Sequence, residues 1–88
     1  MYHALWRGGK VRETADPSQA AEWLESGAVL ERQEGDYRVV ARSRGRRGYH
    51  IRLYRKKGKP IEFPARATAE ATVAAMNLGG RRTGECGE

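Results

Sequence analysis

Histidine and cysteine are scarce in this 88-residue chain: His3, His50 and Cys86 are the only ones. No acidic residue stands at catalytic or metal-ligand spacing from either histidine, and a zinc site lacks a second cysteine. No Gly-rich loop precedes a helix at phosphate-cradling spacing. Glu62 is the one carboxylate close to the strongly basic part of the chain, and a lone carboxylate there reads as a salt-bridge partner rather than a general base. These residue types predict a protein that is not an enzyme and uses neither metal nor cofactor.

The chemistry that remains is that of arginine and lysine. Residues 37–59, YRVVARSRGRRGYHIRLYRKKGK, hold ten of the seventeen Lys and Arg residues and no Asp or Glu, in a chain of net charge +6. Residues 1–36 carry four basic and seven acidic side chains, and residues 60–88 three and four, so the basicity belongs to one element. Guanidinium groups make bidentate hydrogen bonds to phosphate or to guanine edges. Several cations on one face release counterions from a nucleic-acid backbone, giving affinity that falls with salt. Lys and Arg also keep strands from aggregating, but ten positive charges with no negative one exceed what that role needs.

Strand periodicity supplies the positioning. Tyr37, Val39 and Ala41 alternate with Arg38, Val40, Arg42 and Arg44. After the connection Gly45–Gly48, Tyr49, Ile51 and Leu53 alternate with His50, Arg52, Tyr54 and Lys56. The apolar sets turn inward together. The predicted binding surface is therefore Arg38, Arg42, Arg44, Arg52, Tyr54 and Lys56, with loop residues Arg46, Arg47, Lys57 and Lys59 reaching flanking phosphates. Tyr54 is placed to stack on a base or to bond a phosphate.

The rest of the chain reads as support. Tyr2–Arg7 and Lys10–Thr14 flank Gly8-Gly9 as a hairpin with a two-residue turn. Tyr2, Ala4 and Trp6 share a face, with Val11 as the apolar residue opposite. Asp16 caps a helix, Pro17 opens it, Gln19 completes a capping box and Gly27 stops it. Ala20, Trp23 and Leu24 form its buried stripe, Trp23 as a core anchor. Ala28–Gln33 reads as a short strand or an extended connection. Pro60–Phe63 is an edge strand with Ile61 and Phe63 inward. Thr68 caps a helix over 69–78, with Ala69, Val73 and Met76 buried and Gly79-Gly80 as its stop. Residues 81–88 read as a flexible C-terminal tail.

The expected fold is a small single α+β domain over residues 1–80, ββα followed by βββα, its antiparallel sheet braced by two helices. Such a short chain buries only roughly 60–65% of its unfolded surface, and a lone cysteine allows no internal disulfide. An internal echo runs through it. Residues 2–27 and 49–79 both read strand, Gly-containing turn, strand, Ala-rich helix, Gly stop, and both begin Tyr-His.

Residues 37–78, YRVVARSRGRRGYHIRLYRKKGKPIEF followed by TAEATVAAMNL, resemble the arm-type DNA-binding domains of phage and transposon integrases and the related plant AP2 fold. That resemblance implies a three-stranded sheet laid in the major groove and braced by one helix. It puts Arg42, Arg44, Arg52, Tyr54 and Lys56 on the DNA-facing side. No recombinase domain follows, so strand exchange is not implied. The order of helices and strands is also similar to a double-stranded-RNA-binding domain. That family has a Lys-rich cluster at the start of its last helix, where this chain reads ATAEATV.

These readings predict nucleic-acid binding, to DNA rather than RNA, in an accessory protein of a phage or other mobile element. The alternative is a protein-binding module or inhibitor that docks its hairpin on an acidic protein surface. Exposed strand edges also leave room for a homodimer. No apolar run is long enough for a membrane span and the N-terminus lacks a signal-peptide core, so the expected location is the cytoplasm.

Overall fold

Period-two alternation in the first residues places Tyr2 and Ala4 in the core and His3 and Leu5 on the opposite side. The same rule organises six strands into one sheet in the computed structural model, which describes residues 1–77. In chain order the elements are β1 (Tyr2–Leu5), β2 (Val11–Thr14), α1 (Pro17–Glu25), β3 (Val29–Glu34), β4 (Tyr37–Ser43), β5 (Tyr49–Tyr54), β6 (Ile61–Glu62) and α2 (Ala69–Ala75), with a 3-10 turn at Gly45–Arg47. The sheet order is β2-β1-β3-β4-β5-β6, and every neighbouring pair is antiparallel.

The α+β class is as the sequence predicts. The second block differs: Val29–Glu34 is a full strand, so ββα is followed by ββββα. Its polar run Glu31–Gln33 carries little strand propensity. β3 forms because β1 and β4 satisfy its backbone from both sides.

Both helices pack on one face of the sheet. Tyr2, Ala4, Leu30, Val39, Ala41, Ile51 and Leu53 are buried there against Ala20, Ala21 and Leu24 of α1 and Ala69, Val73, Ala75 and Met76 at α2. Alanines at the contacts let the helices lie close to the sheet. Trp23 is half-buried against this core, edge-on to Trp6 with ring centroids 5.7 Å apart. The Trp6 indole N–H donates to Ser26 Oγ at 3.0 Å, and the Tyr2 hydroxyl donates to Asn77 Oδ1 at 2.9 Å, tying β1 to the ends of both helices.

The caps follow the sequence with one difference. Asp16 Oδ1 accepts from Ser18 N at 3.0 Å, and Thr68 Oγ1 from Ala71 N at 3.1 Å. Gln19 does not close a capping box. Its amide donates to Glu22, and the Asp16 N–H goes to Thr14 Oγ1 instead. α2 ends at Ala75, short of the expected Leu78. The Gly79-Gly80 stop and the 81–88 tail lie outside the described residues.

Three inward assignments are corrected. The first hairpin loop has three residues, Arg7–Gly9, with Trp6 N donating to Lys10 O at 2.9 Å. The extra residue flips the parity of β2, so Val11 pairs with Leu5 on the open face and is 59% exposed. Tyr37 has the core-facing parity but lies beyond the helices at 46% exposure. Ile61, opposite Leu53 on the edge strand, is 38% exposed, whereas Phe63 packs half-buried on the core.

The two ββα units sit symmetrically. β2-β1 fills one end of the sheet and β6-β5 the other, with α1 and α2 on the same face. Tyr2-His3 and Tyr49-His50 start equivalent inner strands.

Candidate nucleic-acid interface

Because both helices cover one face, the other is left open, and cross-strand register decides which side chains meet there. One row runs Glu13, His3, Glu31, Val40, Arg52, Glu62 from edge to edge. A second runs Gln33, Arg38, Tyr54, and a third places Arg42 beside His50. The open face is therefore polarised. Its β2-β1-β3 half bears Glu13, His3, Glu31 and the exposed apolar Leu5 and Val11. Its β4-β5-β6 half bears Arg38, Arg42, His50, Arg52, Tyr54 and Glu62.

The structure sorts the ten sequence-predicted residues into two groups. Arg38, Arg52 and Tyr54 already have partners. Arg38 Nη1 lies 3.4 Å from Glu31 Oε2, and its guanidinium sits 4.7 Å above the Tyr54 ring, occupying one stacking face. Arg52 Nε donates to Glu62 Oε2 at 2.8 Å, and a terminal nitrogen reaches the same oxygen. Glu62 is thus the salt-bridge partner the sequence predicts. Arg52's hydrogen bond and charge hold the Glu62 carboxyl below the usual glutamate range, with smaller contributions from His50 and Arg44. The same hydrogen bond raises Arg52 further above its already high value, helped by Tyr54. These are exposed ion pairs, which contribute little to stability and exchange readily for other partners.

Arg42, Arg44, Arg46, Arg47, Lys56, Lys57 and Lys59 form no salt bridge among the described residues. Arg42 stands on β4. Arg44 and Lys56, expected on the strand face, both lie just outside the strands. Arg44 precedes the 3-10 turn that holds Arg46 and Arg47, and Lys56 follows Arg55 in the β5–β6 connection with Lys57 and Lys59. Arg44 still joins Arg42 on the open face, lining a hollow of about 140 Å³ with Val40, His50, Arg52, Tyr54 and Glu62. These seven cations thus sit on β4 and in the turns that flank the β4–β5 pair.

Sequence reasoning missed Arg66 and Glu31. Arg66 exchanges backbone hydrogen bonds with Tyr49, its N–H donating at 2.9 Å and its carbonyl accepting at 2.8 Å, which brings it beside Arg46 and Arg47. Gly48 permits this approach. Its φ is +85°, and a Cβ there would lie 2.5 Å from the Arg66 carbonyl oxygen. Glu31 was invisible as a neighbour because no local signal says that β3 lies beside β4. The same is true of Glu13, which cross-strand pairing brings within 3.4 Å of His3 Nδ1.

Among the described residues no helix is long and apolar enough to cross a membrane. Comparison with known proteins finds no matching family model, no matching curated protein and no matching solved structure.

Proposed function

We propose that this chain is a non-enzymatic nucleic-acid-binding protein that seats a phosphate backbone on the basic half of its open sheet face. The observation that carries this reading is a set of seven predicted cations with no salt bridge among the described residues, Arg42 and Arg44 on the open face and Arg46, Arg47, Lys56, Lys57 and Lys59 at the two ends of β4–β5. Seven residues of strand span about 20 Å. That exceeds the ~12 Å width of the B-DNA major groove. The Arg44–Arg47 end and the Lys56–Lys59 end can then contact phosphates on its two sides while Arg42 and Arg52 stand over the groove. The deep, narrow major groove of A-form RNA does not admit such a ribbon, so DNA is the favoured partner. The integrase arm-type and AP2-like resemblance of residues 37–78 points the same way. A cytoplasmic accessory protein of a phage or mobile element is the setting it suggests.

Replacing Arg42, Arg44 and Arg52 together with alanine should abolish retardation of a DNA duplex in a gel while the circular dichroism spectrum stays native. A triple variant that retards both DNA and RNA normally would remove this surface from consideration.

One observation favours a second reading. Leu5 and Val11 form an exposed apolar patch beside Glu13 and Glu31 on the same face, and β2 and β6 are unpaired edges. Such a surface suits a protein partner or a second copy. Under that reading, neither duplex binds in a salt-sensitive way.

A further inference from the structure

We propose that the hollow between β4, β5 and β6 is a seat for a phosphate monoester dianion, and that on a nucleic acid its occupant is the terminal phosphate of a strand. The second clause rests on the nucleic-acid reading; the first does not. The hollow is lined by Arg42, Arg44, His50, Arg52, Tyr54 and Glu62. Its volume of about 140 Å³ admits a tetrahedral oxyanion, since one ordered water needs only about 10–15 Å³.

Charge selects the dianion. The three guanidiniums and one carboxylate of the hollow sum to two net positive charges. A phosphate monoester carries about −1.5 to −2 at neutral pH, whereas a backbone phosphodiester carries a single charge. Glu62 helps by position: it takes the Nε edge of Arg52 and one terminal nitrogen, fixing the guanidinium at the wall and leaving the other terminal nitrogen for a ligand.

A second observation comes from His50. Its Nε2 is screened from solvent and has no hydrogen-bond partner among the described residues. Buried polar atoms are otherwise almost always paired. Its cross-strand neighbour is Arg42, and Arg44 lines the same hollow. Both arginines are exposed and bring their guanidiniums to the hollow that the His50 ring lines. Arg42 and Arg44 make no competing ion pair among the described residues.

The chain contains only two histidines, and His3 lies on the other half of the same face. Inorganic phosphate should be titrated into the protein at constant ionic strength while the imidazole resonances are followed by NMR. His50 should shift saturably, and His3 should not. Arg44→Ala should remove the saturable response of His50; His50→Ala, which removes the reporter itself, is read only in the oligonucleotide assay. Separately, single-stranded oligonucleotides with a 5′-phosphate should bind about tenfold more tightly than their 5′-hydroxyl counterparts, the gain of one strong charge-assisted contact. Both variants should remove that difference.

If neither histidine responds to phosphate, or both respond alike, the seat is refuted, and backbone binding can still stand on its salt dependence. A His50 response with no difference between strand ends keeps the seat and assigns it to a free phosphorylated molecule. A His50 response with no binding of either single strands or a DNA duplex keeps the seat and sinks the nucleic-acid reading.

Discussion

The double replacement Arg42→Ala/Arg44→Ala removes two cations that have no ion-pair partner among the described residues, so its effect can be worked out with little ambiguity. Seven of the predicted binding cations, on β4 and at the ends of β4–β5, have no salt bridge among the described residues. If each neutralises one phosphate, log K falls against log salt with a slope of about −6 on B-DNA. Between 50 and 200 mM salt, that is a loss of about 6,000-fold in affinity. Removing two contacts should flatten the slope by about 1.8, which at 0.1 M salt weakens binding by about 60-fold if the curves meet near 1 M. Fluorescence anisotropy with a labelled duplex at four or five salt concentrations measures both quantities. Arg7→Ala/Lys10→Ala is the matched control. It removes the same charge from the β1–β2 turn, outside the basic half of the sheet, and should leave the slope unchanged. Both proteins should melt within about 2–4 °C of the parent, since exposed substitutions rarely exceed ~0.5 kcal/mol. An unchanged slope for Arg42→Ala/Arg44→Ala, or an equal loss in the control, would refute the reasoning, because binding would then answer to overall charge and not to this surface.

Three further outcomes test the fold and the face. Glu62's carboxyl titrates below its unfolded value, so its pairing with Arg52 contributes stability above the unfolded glutamate pKa and loses it as pH falls through the folded one. Thermal melts of Glu62→Gln and the parent should accordingly differ near neutral pH and converge on acidification; a gap that persists in strong acid would contradict the pairing. Gly48→Ala should cost roughly 2–4 kcal/mol, from a positive φ and a collision with the Arg66 carbonyl, lowering the melting temperature by about 10–20 °C. Gly45→Ala, with positive φ but open space around it, should cost only about 1–2 kcal/mol, and equal losses would show that the approach of Arg66 is immaterial. Leu30→Ala, fully buried in the central β3, should cost about 2–5 kcal/mol in urea denaturation, while Val11→Ala on the open face should be nearly neutral.

Much of the fold was legible because its signals are local. Asp16 with Pro17, and Thr68, mark helix starts through side-chain acceptors next to unsatisfied N–H groups. Val39, Ala41, Ile51 and Leu53 mark an inward face through a period of two residues. The Gly8-Gly9 turn was misjudged by one residue, and that single residue moved Val11 from the core to the surface. The polar β3 is ambiguous in the sequence because its strand character comes from its neighbours, not from its own side chains.

Residue order alone concentrates the positive charge in residues 37–59 and, along each strand of that stretch, sends Arg and apolar residues to opposite sides. Both follow from residue order and backbone geometry within one segment. Long-range folding is what brings Arg38 to Glu31, Arg52 to Glu62, and Arg42, Arg44 and His50 around one hollow. Alternation says which face a side chain takes but not which strand lies alongside. That choice is made by pairing between distant segments and by two helices that bury one side of the sheet and leave the other exposed.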